Sequence, residues 1–228
     1  RSPGKGVPRA PAVGLLDLGP MAQLRAGRLG RRLPQLFIGL VLYGVSLGFM
    51  VEATLGLAPW DVLHMALTRY VSLTLGQIVV VMSFVVLLLW IPLREKPGIG
   101  TIANALVVGM AADATLALLN APEALWIRIL LLVLGIVLNA LATALYIGSQ
   151  FGRGPRDGLM TGLARRTGLS LRLVRTSLEV GVVVLGVLLG GAIGGVLGVG
   201  TVLYALAIGP LAQAMLPTFT VRINDGSR

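Results

Sequence analysis

Gly56-Leu57-Ala58-Pro59-Trp60-Asp61-Val62-Leu63 returns 96 residues later as Gly152-Arg153-Gly154-Pro155-Arg156-Asp157-Gly158-Leu159. Each copy follows a long apolar run and precedes another. Around it, Gly39-Leu40-Val41-Leu42 falls on Gly135-Ile136-Val137-Leu138, and Leu73-Thr74-Leu75 on Leu169-Ser170-Leu171. Gly98-Ile99-Gly100-Thr101 returns as Gly198-Val199-Gly200-Thr201 at an offset of 100, four residues having been added in the Gly190–Gly195 loop. The apolar matches carry little weight, because Leu- and Val-rich helices match by chance. The Pro and Asp matches at fixed places carry more. A membrane chain built from two copies of one unit is usually built to move something.

The medium follows from composition. The 228 residues are 56% apolar and 12% charged, with mean hydropathy +0.89. A soluble domain is about 25% charged, so this reads as an integral membrane protein in one compact bundle. No Cys is present, which removes disulfides and thiolate chemistry, and the single His64 excludes a multi-histidine metal site. A formal charge of +10 would suggest nucleic acid in a soluble protein. Here the charges sit at the ends of apolar runs, so no nucleic-acid role is expected.

Crossing a bilayer takes about 20 mostly apolar residues. Six segments qualify: 35–55, 76–93, 99–119, 127–149, 171–190 and 199–217. Backbone groups in lipid must be satisfied internally, so these read as helices. With the N-terminus inside, all but two of the 19 Lys and Arg fall on the inner side. The exceptions are Arg69 and Arg128. Loops rich in Lys and Arg stay cytoplasmic, which places both termini in the cytoplasm. Residues 1–34 read as a disordered basic N-terminal segment, with Arg25, Arg28, Arg31 and Arg32 as a collar and Met21 as a candidate start. Residues 35–120 form the first three-helix repeat and 127–217 the second. An odd number of crossings per copy inverts the second copy relative to the first, about an axis in the membrane plane. Counting the Pro-Asp segment as a fourth crossing would put Arg165 and Arg166 in lipid, where a central Arg costs about 2.5–3.5 kcal/mol.

Pro59 and Pro155 each read as the first residue of a short helix, where the missing N–H costs nothing. Asp61 and Asp157 fall in the first turn, which suits the positive helix end. Asp61, His64 and Thr68 share one face, as do Asp157, Thr161 and Arg165. Each helix is too short to span and lies in the interface or dips in as a re-entrant segment. Two readings stand side by side: the acids cap their helices, or they face a solute as paired gates. Asp113 and Asn104 in the third span, with Gln213 and Tyr204 at the corresponding places of the sixth, complete the candidate substrate-binding or gating set with Asp61, Asp157 and His64. Charged groups inside spans are costly and mark pathways. Glu52 reads as interfacial, Arg175 and Glu179 as an ion pair at the cytoplasmic edge, and Asn139 as glue between helices. Gly44 and Gly48, and Gly186 and Gly190, have the four-residue spacing that lets membrane helices approach closely.

Together, the two copies of Gly-x-x-Pro-[Trp/Arg]-Asp-x-Leu, the Leu-[Thr/Ser]-Leu span starts and the Gly-x-Gly-Thr starts resemble the YczE-like branch of the YitT-type bacterial membrane proteins, from about Leu33 to Thr220. The resemblance implies a small multi-span inner-membrane protein and supplies no ligand residue.

The expectation is an all-α membrane protein of six transmembrane helices in two inverted repeats, each with a short Pro-Asp helix after its first span. Its lead function is a small secondary transporter of a small polar solute, with carboxylates able to couple movement to protons. The alternative is a non-transporting regulator or assembly partner whose Arg-rich 152–175 segment docks a protein or anionic lipid. No P-loop, Gly-x-Ser-x-Gly or His-Glu-x-x-His occurs, so neither an enzyme nor a cofactor or metal site is expected. Beyond lipid and solute, self-association is compatible with the sequence. In this Cys-free chain, Ser72→Cys and Thr167→Cys should react with an impermeant maleimide from opposite sides of the membrane. Reaction of both from one side contradicts the inverted topology.

Overall fold

The span starts are decided by hydroxyl caps. Thr74 Oγ1 accepts from the Gln77 N–H while the Gln77 side chain accepts from the Thr74 N–H, a reciprocal capping box. Ser170 Oγ accepts from the Leu173 N–H at the equivalent start. Thr101 and Thr201 reach back to accept from the N–H of Gly98 and Gly198. The repeated Thr, Ser and Gly-x-Gly-Thr positions are therefore helix starts with side-chain reasons.

The computed structural model describes residues 15–194 and 196–223. These fold as α1 (Pro20–Arg25), α2 (Leu29–Ala53), α3 (Pro59–Leu67), α4 (Leu75–Leu93), α5 (Ile99–Leu118), α6 (Leu125–Gly148), α7 (Pro155–Thr167), α8 (Leu171–Leu188) and α9 (Val199–Phe219). No strand occurs among the described residues. Five helices are long and apolar enough to cross a membrane: α2, α4, α5, α6 and α9. The expected span 171–190 is present as α8, but its 18 residues carry Arg172, Arg175 and Glu179 and fall outside that class.

Helices α2 and α6 are the antiparallel centre. Arg128, at the start of α6, donates to the carbonyl oxygens of Ala53 and Thr54 at the end of α2. Arg32, near the start of α2, donates to Ser149 and Gln150 just past the end of α6. Helix α5 packs on α2, and α9 packs on α6. Close approach of α2 and α5 depends on Gly44, where a Cβ would lie 2.5 Å from the Val108 carbonyl oxygen. Each short helix lies mainly against a long helix of the other half, α3 on α8 and α7 on α4. One equivalence breaks: α4 packs along α5, whereas α8 and α9 barely touch.

The chain breaks after α2 and α6 are held reciprocally. The Gly200 N–H donates to the Leu55 carbonyl at 2.7 Å, and the Gly100 N–H to the Phe151 carbonyl at 2.7 Å. Both loops use matched left-handed residues, Thr54 with φ 52° and Gln150 with φ 60°. The glycines that follow, Gly56 at φ 124° and Gly152 at φ 103°, sit where a side chain would be strained. At Gly56 a Cβ would also lie 2.7 Å from the Thr201 nitrogen.

The expected N-terminal disorder over 1–14 lies outside the described residues. Beyond it, the segment is built into the fold. Gln23 in α1 is buried, and its amide accepts from the Ile99 N–H and donates to the Leu18 carbonyl. Arg32 is not part of a solvated collar. It is fully buried, donates to the carbonyls of Gln23, Gly27, Ser149 and Gln150, and lies 4.2 Å from the Phe151 ring centre.

Gly44→Val should cost about 1–3 kcal/mol, as overpacking does, read as a lower unfolding midpoint in detergent. Gly181→Val, where a Cβ meets nothing within 4 Å, should stay within about 0.5 kcal/mol of the parent. Equal effects would contradict the close α2–α5 seam.

Candidate functional site

The starts of α3 and α7 both lie inside the bundle. Pro59 and Pro155 occupy the first helical position of each, as the sequence leads one to expect. Helix α3 then runs to the Arg128 end, where Arg69 and Tyr70 donate to the carbonyls of Gly190 and Leu189. Helix α7 runs to the Arg32 end, where Arg165 meets Glu95 at 3.0 Å. Between the two starts, Trp60, Leu159 and Met160 form an apolar cluster with Val86 of α4 and Val174 of α8.

Beside this cluster is a polar cavity of about 70 Å³. Tyr43, Pro59, Trp60, Tyr146, Arg156 and Asp157 line one part of it. Arg175 and Glu179 of α8, with Tyr204 and Ile208 of α9, line the seam where those helices barely touch. Its polar groups fall into two sets. Arg156 Nη2 donates to the Tyr43 hydroxyl at 2.9 Å. The rings of Tyr43 and Tyr146 meet edge to face at 6.1 Å. The Tyr146 hydroxyl donates to Asp157 Oδ2. The Tyr204 hydroxyl donates to Asn139 Oδ1 at 2.9 Å, and Asn139 Nδ2 donates to Ser46 Oγ at 2.9 Å. Asn139 thus joins α2, α6 and α9, the gluing role its sequence position suggests.

The seven sequence candidates divide. Asp157 and Tyr204 line the cavity. Asn104 lies beside the same group: a Cβ on Gly154 would be 3.0 Å from its amide, from Asp157 Oδ2 and from the Tyr146 hydroxyl. Asp61 and His64 are both buried and pair at 3.0 Å between Oδ1 and Nδ1. Asp61 pairs with His64 and Asp157 accepts from Tyr146, so each aspartate is engaged by another side chain. Asp113 is elsewhere: it accepts from Thr74 Oγ1 at 2.6 Å and from the Gly76 N–H at 2.9 Å, fixing the start of α4. Gln213 is exposed on α9. Arg175 and Glu179 do pair, at 3.1 Å, and line the cavity rather than a plain edge.

Trp60 and Arg156 escape a motif reading because they occupy the variable place between Pro and Asp. Tyr43 and Tyr146 escape it because a Tyr in an apolar run reads as filler. The available signal is that Trp60 and Arg156 are repeat equivalents on helices that cannot span.

The fold and cavity define a multi-pass, all-α membrane protein with a polar centre. The chain belongs to the family described as "Family of unknown function (DUF6198)", which matches residues 30–217. It is similar to an "Uncharacterized protein" of Haemophilus influenzae, 39% identical over 181 residues that cover 79% of this chain and 81% of that one. It is also similar to the "Uncharacterized membrane protein YczE" of Bacillus subtilis, 31% identical over 82% of this chain and 86% of the relative. The "Uncharacterized protein YyaS" of the same organism is 27% identical over 79% of this chain and 90% of its own length. No solved structure matches.

A double-mutant cycle of Asn139→Ala and Tyr204→Phe should give a coupling of about 0.6 kcal/mol, typical of hydrogen bonds between membrane helices. Unfolding in detergent measures it. Strict additivity would contradict the bridge.

Proposed function

We propose that this protein is a small secondary transporter that moves a small polar solute by alternating access. In this reading α2–α5 and α6–α9 are inverted three-helix repeats, and α8 is the sixth crossing. The charges of α8 lie in its first half, beside the cavity and toward the Arg32 end, and Val180–Leu188 is uncharged. The Arg32 end faces the cytoplasm of a bacterial cell, with both termini there, because Arg69 and Arg128 are engaged at the opposite end.

One observation carries the reading. Polar side chains from both halves converge on one cavity between two short helix starts, beside apolar core clusters. Discontinuous helices whose starts meet at the repeat interface are the usual solution for binding a solute within a membrane. The reciprocal Leu55–Gly200 and Phe151–Gly100 bonds support two equivalent gates, one toward each end. Asp157 with Tyr146, and Asp61 with His64, are the groups through which protons would couple to movement. No enzymatic step is assigned. The rival reading, a partner protein docking through its Arg-rich 152–175 segment, fits the exposed Arg153 and Arg172. Those two side chains are also placed to contact anionic headgroups. It leaves the polar cavity without a use.

Uptake into proteoliposomes, screened over small polar solutes, tests the proposal. Asp61→Asn and Asp157→Asn should each fold and insert but abolish flux, because Asn keeps an acceptor and loses the charge. Parent-level flux in both variants, or no flux from folded parent protein, would sink it.

A further inference from the structure

The two motifs differ at the residue between Pro and Asp: Trp60 in the first and Arg156 in the second. Both line the cavity. Arg156 carries five N–H donors, and among the described residues only one finds an acceptor, the Tyr43 hydroxyl at 2.9 Å. No carboxylate among them lies within 4.0 Å of its guanidinium. The adjacent Asp157 is turned to Tyr146 instead. The ring centres of Tyr43 and Trp60 both lie 5.8 Å from the guanidinium carbon. Arg32 shows what this fold does with an arginine it buries for structure: its nitrogens make four bonds to carbonyls. Arg156 has no such set.

A buried donor stands beside it. Trp60 is 7% exposed, and its Nε1–H is buried with no acceptor among the described residues. Buried donors without acceptors are rare in native structures. Arg156 itself is half-buried and lines the cavity, so a positive guanidinium with unpaired N–H groups, beside a neutral indole donor at the equivalent place of the repeat, is matched by oxygen atoms bearing negative charge.

We infer that the cavity takes the carboxylate of a small anionic solute, with Arg156 as its anchor and the Trp60 Nε1–H as a further donor. A planar guanidinium fork matches a carboxylate through two parallel hydrogen bonds, which a point cation cannot do. Size restricts the solute. A water needs about 10–15 Å³ of such space, so about 70 Å³ admits a handful of non-hydrogen atoms. That suits a short-chain carboxylate or the carboxylate head of a longer solute. The assignment names the solute class for the transport reading above and rests on it only for turnover, not for binding.

The test is saturable binding to the purified full chain in detergent, followed by thermal shift and calorimetry at matched ionic strength. The probes are acetate, lactate, inorganic phosphate, chloride and methylammonium. Acetate and lactate should raise the unfolding temperature saturably, and methylammonium should not. Arg156→Gln should abolish that response, Arg156→Lys should weaken binding about tenfold or more, and Trp60→Phe about tenfold, as loss of a hydrogen bond to a charged group does. Trp60→Phe keeps the test available should Arg156→Gln misfold. A response to phosphate or chloride alone, to methylammonium alone, or to no probe overturns the assignment. So does carboxylate binding that is unchanged in Arg156→Gln or Trp60→Phe. Carboxylate binding without flux in vesicles would uphold the assignment and remove the transport reading. Flux with unchanged anion binding in Arg156→Gln would do the reverse.

Discussion

Unwound backbone inside a membrane bundle must find its hydrogen bonds within the protein. That constraint governs this structure. The chain leaves helix geometry after α2 and again after α6, and each break is met by the start of a helix from the other half. Leu55 accepts from Gly200, and Phe151 accepts from Gly100. A helix start has N–H groups with no partner of their own, so the two deficits cancel. Small residues make the contact possible: a Cβ on Gly200 would lie 2.7 Å from the Gly56 carbonyl oxygen, and one on Gly100 3.0 Å from that of Phe151. With both breaks fixed, Pro59 and Pro155 start their helices inside the bundle, and Trp60 and Arg156 reach one cavity.

The two halves are alike where they hold each other and unlike where they meet the cavity. Trp60 stands opposite Arg156, Tyr43 corresponds to Asn139, and α4 packs along α5 while α8 leaves α9. Equivalent backbone therefore frames a cavity with different chemistry on its two sides. The guanidinium comes from one motif and the aromatic face from the other. The Arg175–Glu179 pair stands at the open seam. Strict likeness would give two identical half-sites. In the proposed transporter, the departure from it would let one solute be bound with a defined orientation.

Much of this was legible in the residues. The helix starts and the Pro at the first helical position follow from local rules that act within four residues. The side-chain roles were less legible because they depend on rotation and depth. Asp113 and Gln213 are equivalent by number, yet Asp113 lies beside the start of α4 and Gln213 is exposed. An offset places residues along a helix and leaves open which partner covers that face. Arg32 sits in a run of basic residues that reads as a collar. Only the packing of α1 and the turn after α6 shows that carbonyls surround it. Asp61 and Asp157 recur at matched places, whereas the residue between Pro and Asp differs, Trp60 in one motif and Arg156 in the other.

The placement of both short helices depends on the two reciprocal backbone bonds, and amide hydrogen exchange in lipid nanodiscs reads them directly. First-turn amides of a helix have no intrahelical partner and exchange quickly unless something else accepts from them. The Leu125 and Trp126 amides at the exposed start of α6 supply the unprotected reference. Gly100 and Gly200 occupy the same turn of α5 and α9. Both should be strongly protected relative to Trp126, and to a similar extent. Exchange of Gly100 and Gly200 as fast as that of Trp126 would contradict the reciprocal clasp, and with it the placement of both short helices.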